Sequence, residues 1–396
     1  MKLNKFQQFK KLLFLIDVFK LSLTAFGGPQ VHFTMFKKNL VVKKNYLSEK
    51  ELVETNSFCS MLPGPTSTQT ITVIGYKMGG PFMAFLTLGI WIFPACFLMG
   101  FLAIVMHNIP TDSPRVNFLK YLSPMASGFM IYAAYSFIQM FVTKRLHWAL
   151  LVGTAVLGIL NPSPFLIPVM LIAGGLITSF INTRGVVVKP DPIKNIHWDN
   201  LWLFFGIFLL AAILGVSTQN KLFLLFENNF RYGSIVFGGG NALIPLMYNQ
   251  FVEYKHYMEA SEFLAGIGFL QAVPGPVFSI ASYAGAMSMK DAGFFGQVMG
   301  MISSSTAIFL PGILLIFFVY PIWNQIKHYA PISNAIEGIN AISAGLVVVS
   351  AYLLFLPVQV NEQNMLVLLS TLFLLLSTKV PSPIIVLGCL IGGYFF

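Results

Sequence analysis

Charge is what this sequence has least of: Asp, Glu, Lys and Arg together make up 10% of its 396 residues. A soluble domain carries about a quarter of charged residues to cover its surface, so a water-exposed globular body is excluded. Acids are scarcer than bases, 14 against 24, and histidines number six. No His or carboxylate cluster falls within the apolar runs, which leaves a membrane-embedded enzyme as the weaker alternative and gives no reason to expect a metal or other cofactor. Cysteines number three, Cys59, Cys96 and Cys389, all in apolar segments without metal-ligand spacing. They read as small buried hydrophobes that require no disulfide. A cleavable leader is not expected either, because Asp17 and Lys20 interrupt the first apolar stretch and no cleavage-site pattern follows.

What is present is hydrophobicity: 56% of residues are apolar and the mean hydropathy is +0.75. Apolar runs at 82–106 and 118–142 exceed the ~18 residues that suggest a spanning helix. The fold class is therefore an all-α polytopic membrane protein, with the lipid bilayer as its first partner. The formal charge of +10 does not imply nucleic acid, because the bases sit in short loops where the positive-inside rule places them. Gly174-Gly175 and Gly392-Gly393 are candidates for close helix approach.

The chain is also written twice. Phe26-Gly27-Gly28-Pro29 precedes Pro63-Gly64-Pro65, and Phe237-Gly238-Gly239-Gly240 precedes Pro274-Gly275-Pro276 at the same spacing. A constant offset of 211 superposes them and pairs Lys20 with Arg231, Lys44 with Lys255, Tyr46 with Tyr257 and Glu51 with Glu262. The offset grows to 217 for Gly128 and Gly345, and to 219 for Pro162-Ser163-Pro164 and Pro381-Ser382-Pro383. Two homologous halves follow, an N-terminal repeat over 1–181 and a C-terminal repeat over 219–396. A basic linker and one extra helix over 182–218 join them. Basic loops predict a cytoplasmic N-terminus. In each half, two helical hairpins broken or re-entrant at the Gly/Pro motifs precede the spans, which in the first half are 82–106, 118–142, 148–160 and 165–181. The helix at 201–216 then inverts the second half, consistent with the loss of basic bias in the loop of Glu253, Lys255, His256, Glu259 and Glu262. The C-terminus is expected outside. Paired helix breaks in inverted repeats point to a secondary transporter.

The breaks carry the candidate chemistry. Pro63, Pro65, Pro274 and Pro276 interrupt helices, as does Pro29 after Gly27 and Gly28. A helix restarting after Pro29 frees the N–H groups of Gln30, Val31 and His32, and one restarting after Pro65 frees those of Thr66, Ser67 and Thr68. Such ends attract anions, tetrahedral oxyanions among them. Thr66, Ser67, Thr68 and Gln69 add hydroxyl and amide donors beside Gly64. In the second half Gly239, Gly240, Asn241, Gly275 and Ser279 hold the corresponding places. Lys20 and Arg231, each six residues before a glycine break in an apolar stretch, are candidate counter-charges for a dianion. The competing reading has them snorkel to an interface, with Asp17 partnering Lys20. For His32 two roles stand open, coupling a proton or donating a hydrogen bond. Glu51 and Glu262 read as helix-start residues, and Glu337 as interfacial.

These residues resemble the chromate ion transporter family in its two-domain, long-chain form. The carrying motifs are Phe26 to Pro29, His32, Leu62 to Gln69 and Ile74-Gly75-Tyr76 in the first half, and Phe237 to Gly240, Pro245 and Gln271 to Pro276 in the second. The family usually has acidic residues near Lys37 and Asn39 and Trp where Tyr46 and Tyr257 stand, so this first loop is more basic. The resemblance implies a plasma-membrane carrier for chromate, with proton-coupled efflux and sulfate as a look-alike dianion. An uptake permease or channel for sulfate or another inorganic anion is the alternative.

Overall fold

A computed structural model describes residues 5–26, 28–108, 120–161, 166–181, 198–237, 240–323, 330–378 and 380–395. Gly27, Gly238, Gly239, the loop of Asp112 and Arg115, Pro162 to Pro164, the linker over 182–197, Lys327, His328 and Lys379 lie outside the described residues, as do the side chains of Gln30 and Asn241. Sixteen α-helices are described, with no strand among the described residues. In the first half they are α1 (Lys5–Ser22), α2 (Gly28–Phe36), α3 (Glu49–Ser60), α4 (Thr66–His107), α5 (Leu122–Phe141), α6 (Arg145–Leu160) and α7 (Leu166–Ile181). The connecting helix is α8 (Trp198–Thr218). The second half holds α9 (Lys221–Ile235), α10 (Leu243–Tyr248), α11 (Ala260–Ala272), α12 (Ile280–Ser288), α13 (Gly293–Val319), α14 (Ala330–Phe355), α15 (Glu362–Ser377) and α16 (Ser382–Phe395). Segments 66–107, 198–218, 290–322 and 334–355 are long and apolar enough to cross a membrane.

The repeat is visible in backbone detail. π-Helices at Lys37–Lys43 and Asn249–Tyr254 continue α2 and α10. Each is followed by a left-handed residue, Asn45 or His256, both at φ 49°. A capping box then starts the next helix: Glu51 answers Ser48 at α3, and Glu262 answers Glu259 at α11. Glu51 and Glu262 thus stand at helix starts, where a carboxylate satisfies free N–H groups and the dipole. The bonds from Ser48 hold the Glu51 carboxyl below its ordinary pKa. Gly64 (φ +117°) and Gly275 (φ +134°) turn the two Pro-Gly-Pro breaks, and Gly80 (φ +76°) and Gly293 (φ +70°) turn the two later bends. The bend at Gly79-Gly80 divides α4, so the hairpin arm and the span expected from residue 82 are joined as one kinked helix.

Small residues set the helix spacing. An added Cβ on Gly338 of α14 would lie 2.0 Å from the Gly174 carbonyl oxygen of α7, and one on Gly345 would lie 2.8 Å from the Leu151 carbonyl of α6. Gly174 is therefore a close-approach residue, as expected. Gly392 is not: its nearest neighbour would be Tyr121 at an ordinary 3.7 Å. Asp17 does not partner Lys20. It accepts a 2.8 Å hydrogen bond from the Tyr46 hydroxyl and faces Lys44 at 3.6 Å, because the α2 hairpin folds the Lys44–Tyr46 loop back on α1.

Candidate functional site

The two Pro-Gly-Pro breaks are stitched to the opposite half's glycine break. The Gly64 N–H donates to the Val236 carbonyl at 2.7 Å, and the Gly275 N–H donates to the Ala25 carbonyl at 2.8 Å. Donors and acceptors are related by the same 211-residue offset, so one bond is the image of the other. Such reciprocal exchange is what a two-fold relation produces, and an inverted repeat has such a two-fold.

All four breaks face one cavity of about 880 Å³. Phe26, Gly28 and Pro29 line it from the first, Met61 and Thr66 from the second, Gly240 from the third, and Val273, Gly275 and Val277 from the fourth. The remaining wall comes from α5 between Phe129 and Phe141, from Gln271, from Ile336, Glu337 and Asn340 near the start of α14, and from Leu375 and Ser382. The cavity follows the last three turns of α5 and the first turns of α14, so it runs from the crossed breaks to the end where α5 hands over to α6. At the other end Ser127 donates to the Leu354 carbonyl at 2.8 Å, and Gln363 accepts from Lys120 and Tyr121.

Two helix N-termini point their free donors into this region. α4 starts at Thr66 with no side-chain cap, and the Gln69 N–H is the first to bond back, to Pro65. The N–H groups of Thr66, Ser67 and Thr68 thus lie outside the helical ladder. α2 begins at Gly28 rather than after Pro29, which leaves Gly28 and Gln30 as first-turn donors and takes the His32 amide into the ladder. The second half departs from this pattern. Short 3₁₀ turns at Gly240–Ala242 and Val277–Ser279 precede α10 and α12, and Val277 occupies the place of Thr66.

Most of the predicted side-chain donors serve the frame instead. Thr66 lines the cavity, but the Ser67 hydroxyl lies 2.9 Å from His32 Nδ1, and Thr68 accepts a hydrogen bond from Trp91 Nε1 at 3.2 Å. Gln69 turns back to donate to the Pro63 carbonyl at 2.7 Å, a bond that holds its own break shut. Ser279 is buried without lining the cavity. Of the glycines, Gly28, Gly240 and Gly275 line it and Gly64 does not. Pro29 lines it, whereas Pro63, Pro65, Pro274 and Pro276 shape the breaks behind it. Lys20 is exposed on α1, and Arg231 is held by Glu227 at 3.1 Å and by Asn228 at 2.8 Å. Neither reaches the cavity, and no lysine or arginine is among its described lining residues. Glu227, one helical turn from Arg231, was the signal in the sequence that this cation already had a partner.

His32 is a strut. Its ring is buried against Trp91, edge to face at 5.4 Å, and its Nε2 lies 3.0 Å from the Ala25 carbonyl. A carbonyl only accepts, so Nε2 carries the proton and Nδ1 of the neutral ring accepts from Ser67. One imidazole therefore ties the first break to the start of α4, and Ala25 also receives the Gly275 bond. His32→Leu, the residue the second half carries as Leu243, leaves the Ser67 hydroxyl without its partner. We expect a loss of about 1–3 kcal/mol, read as a lowered unfolding temperature in detergent. His32→Gln, which keeps a donor and an acceptor, should recover part of it; equal losses in both variants would refute the strut.

Sequence reasoning did not single out Tyr132, Ser136, Asn340, Asn56 or the Glu337 wall. Glu337 is placed there by α14 packing on α6, where Lys144 reaches its Oε2 at 2.5 Å and His147 Nε2 stands 3.6 Å away.

Comparison with known proteins agrees with the repeat. The family model described as chromate transporter matches residues 12–179 and again 223–394. An uncharacterized transporter of Methanocaldococcus jannaschii is 26% identical, covering 99% of this chain and 96% of its own length. A probable chromate transport protein of Synechococcus elongatus is 25% identical over 95% of this chain and 93% of its own. A chromate transport protein of Cupriavidus metallidurans is 22% identical over 94% and 90%. No solved structure matches. With both halves matched and the helix breaks gathered on one cavity, this membrane protein belongs to the chromate transporter family.

Proposed function

We propose that the chain is a secondary transporter that exports chromate, a tetrahedral dianion, across the plasma membrane with proton coupling, and that it catalyses no chemical conversion. The observation that carries this reading is the meeting of four repeat-related helix breaks on one cavity, with the first turn of α2 and the uncapped start of α4 beside it. Oxyanions suit such ends because several N–H groups and the dipole converge on them. Thr66, Gln271 and Asn340 add neutral donors along the wall. This assignment gives Lys20 and Arg231 no direct contact with the anion in the present conformation.

Glu337 of the cavity wall pairs with Lys144, next to Arg145, and by the positive-inside rule we read this end as cytoplasmic. The N-terminus is then inside and the C-terminus outside, with repeats over 1–181 and 219–396 joined by the inverting segment 182–218. Outward movement of a dianion is favoured by an inside-negative potential at about 4.6 kcal/mol per 100 mV, from about 2.3 for each charge.

Chromate flux in proteoliposomes, with sulfate as competitor and with or without a pH gradient, tests the reading. Sulfate-sensitive chromate movement that responds to potential is expected. Robust sulfate movement without chromate movement would make the protein a sulfate permease instead, and no flux of either from folded protein would overturn the oxyanion assignment.

A further inference from the structure

Glu337 is the one carboxylate among the described residues of the cavity wall. It belongs to the second half, yet the ammonium and the imidazole beside it come from the first: Lys144, at the N-cap of α6, and His147, one turn into it. His147 is buried, and its Nδ1 accepts the Thr143 N–H at 3.4 Å. That bond places the ring proton on Nε2, the nitrogen that faces Glu337 at 3.6 Å and has no hydrogen-bond partner. The carboxylate thus joins the cavity wall to Lys144, which does not itself line the cavity.

Other described groups stand on the elements packed around it. On α6 the remaining charged residue, Arg145, is exposed. α5 presents Tyr132 to the cavity, α10 carries Tyr248, and α7 carries no titratable side chain. Among the described residues, the Lys144 ammonium and the His147 Nε2–H are therefore the donors that Glu337 and an incoming anion would share.

We propose that Glu337 is an internal competitor of the transported anion, and that its displacement couples one proton to the anion in the same direction. With the cavity empty, the carboxylate holds Lys144 and stands before the unpartnered Nε2–H of His147. A dianion taking those donors leaves Glu337 beside a second negative charge in a partly desolvated wall, and it then binds a proton from cavity water. When the anion departs, the proton leaves and the Glu337–Lys144 pair reforms. Anion binding and proton binding favour each other, and linkage makes that reciprocal. The coupling is therefore cotransport: one proton accompanies each anion outward, and efflux is driven by the potential while the inward proton gradient opposes it. This inference rests on the oxyanion reading above.

The test compares wild type with E337Q and K144Q in proteoliposomes loaded with chromate and a pH-sensitive dye, at a fixed potential. In wild type, acidifying the interior relative to the exterior should speed chromate efflux, and efflux should carry protons out. In E337Q the pH-gradient response should vanish and the half-saturating chromate concentration should fall about tenfold, since the competitor is gone. A proton carried on chromate itself would persist in E337Q, which separates the two sources. K144Q should raise half-saturation about tenfold while keeping the gradient response, and it decides the matter should E337Q fail to assemble. Efflux sped by an acidic exterior, an E337Q variant that keeps the wild-type gradient response, or a K144Q variant with wild-type half-saturation would each overturn the proposal. Absence of wild-type flux would instead overturn the oxyanion reading.

Discussion

Gly275→Ala is expected to abolish transport and to cost most of the folded protein. Gly275 turns the fourth break at φ +134°, and an added Cβ would lie 2.5 Å from the Ala95 Cβ of α4. A methyl bonded to backbone cannot swing away, so α4 itself must move. Left-handed strain contributes about 1–3 kcal/mol and overpacking about 1–3 kcal/mol more, against a total stability of about 5–15 kcal/mol. Displacing this turn also pulls the Gly275 N–H from Ala25 and deforms the cavity wall. Two further glycines grade the effect. Gly64→Ala meets the amide end of Gln69 at 2.9 Å, a group that can rotate, and Gly28→Ala meets nothing within 4 Å. Unfolding temperature and chromate flux should therefore fall in the order Gly28, Gly64, Gly275. A Gly275→Ala protein as stable as Gly28→Ala would show that the contact with Ala95 does not limit this break.

Gly338→Ala should be the most damaging change outside the cavity. Its Cβ would stand 2.0 Å from the Gly174 carbonyl oxygen and 2.3 Å from the Thr178 hydroxyl. Thr178 can rotate, but the carbonyl belongs to the α7 backbone, so α7 and α14 must separate along their shared length. Without a hydrophobic force between helices in lipid, such close packing is a main source of their association. A loss of about 3 kcal/mol or more follows, measurable as a drop in unfolding temperature and in monodisperse yield. Gly392→Ala, with only an ordinary contact to Tyr121, is the control and should stay close to wild type. Matching losses at the two sites would mean that helix approach at Gly338 is not what stabilises the bundle.

The architecture was legible because helix breaks and their repetition are local signals. Gly and Pro act on their own backbone, so the turns at Gly64 and Gly275 and the bend before residue 82 could be placed from order alone. The positions of the charged loops gave the extra helix at 201–216 in the same way. Direction of side chains was not legible. Thr66, Ser67 and Thr68 successively point about 100° apart on a helix, so only one of the three can face a given cavity, and nothing local says which. Thr66 does, while Ser67 and Thr68 are claimed by His32 and Trp91. Glu337 and Lys144 are 193 residues apart in the chain, and no spacing rule connects residues whose meeting depends on how α14 lies against α6. Arg231 is a different case: its partner Glu227 stands one turn away, so local spacing reads as a paired cation, whereas the repeat match with Lys20 carries only the charge.

The paired bonds Gly64 N–H to Val236 and Gly275 N–H to Ala25 also limit how the molecule can move. Pulling the halves apart would break both bonds and leave four backbone groups unpaired, a cost of about 1–3 kcal/mol for each one that stays buried. Turning one half against the other about the line between the two bonds leaves both intact. The crossed breaks would therefore act as a fulcrum for such a turn, with the helices on either side as lever arms: closing the end near Lys144 would open the end near Gln363.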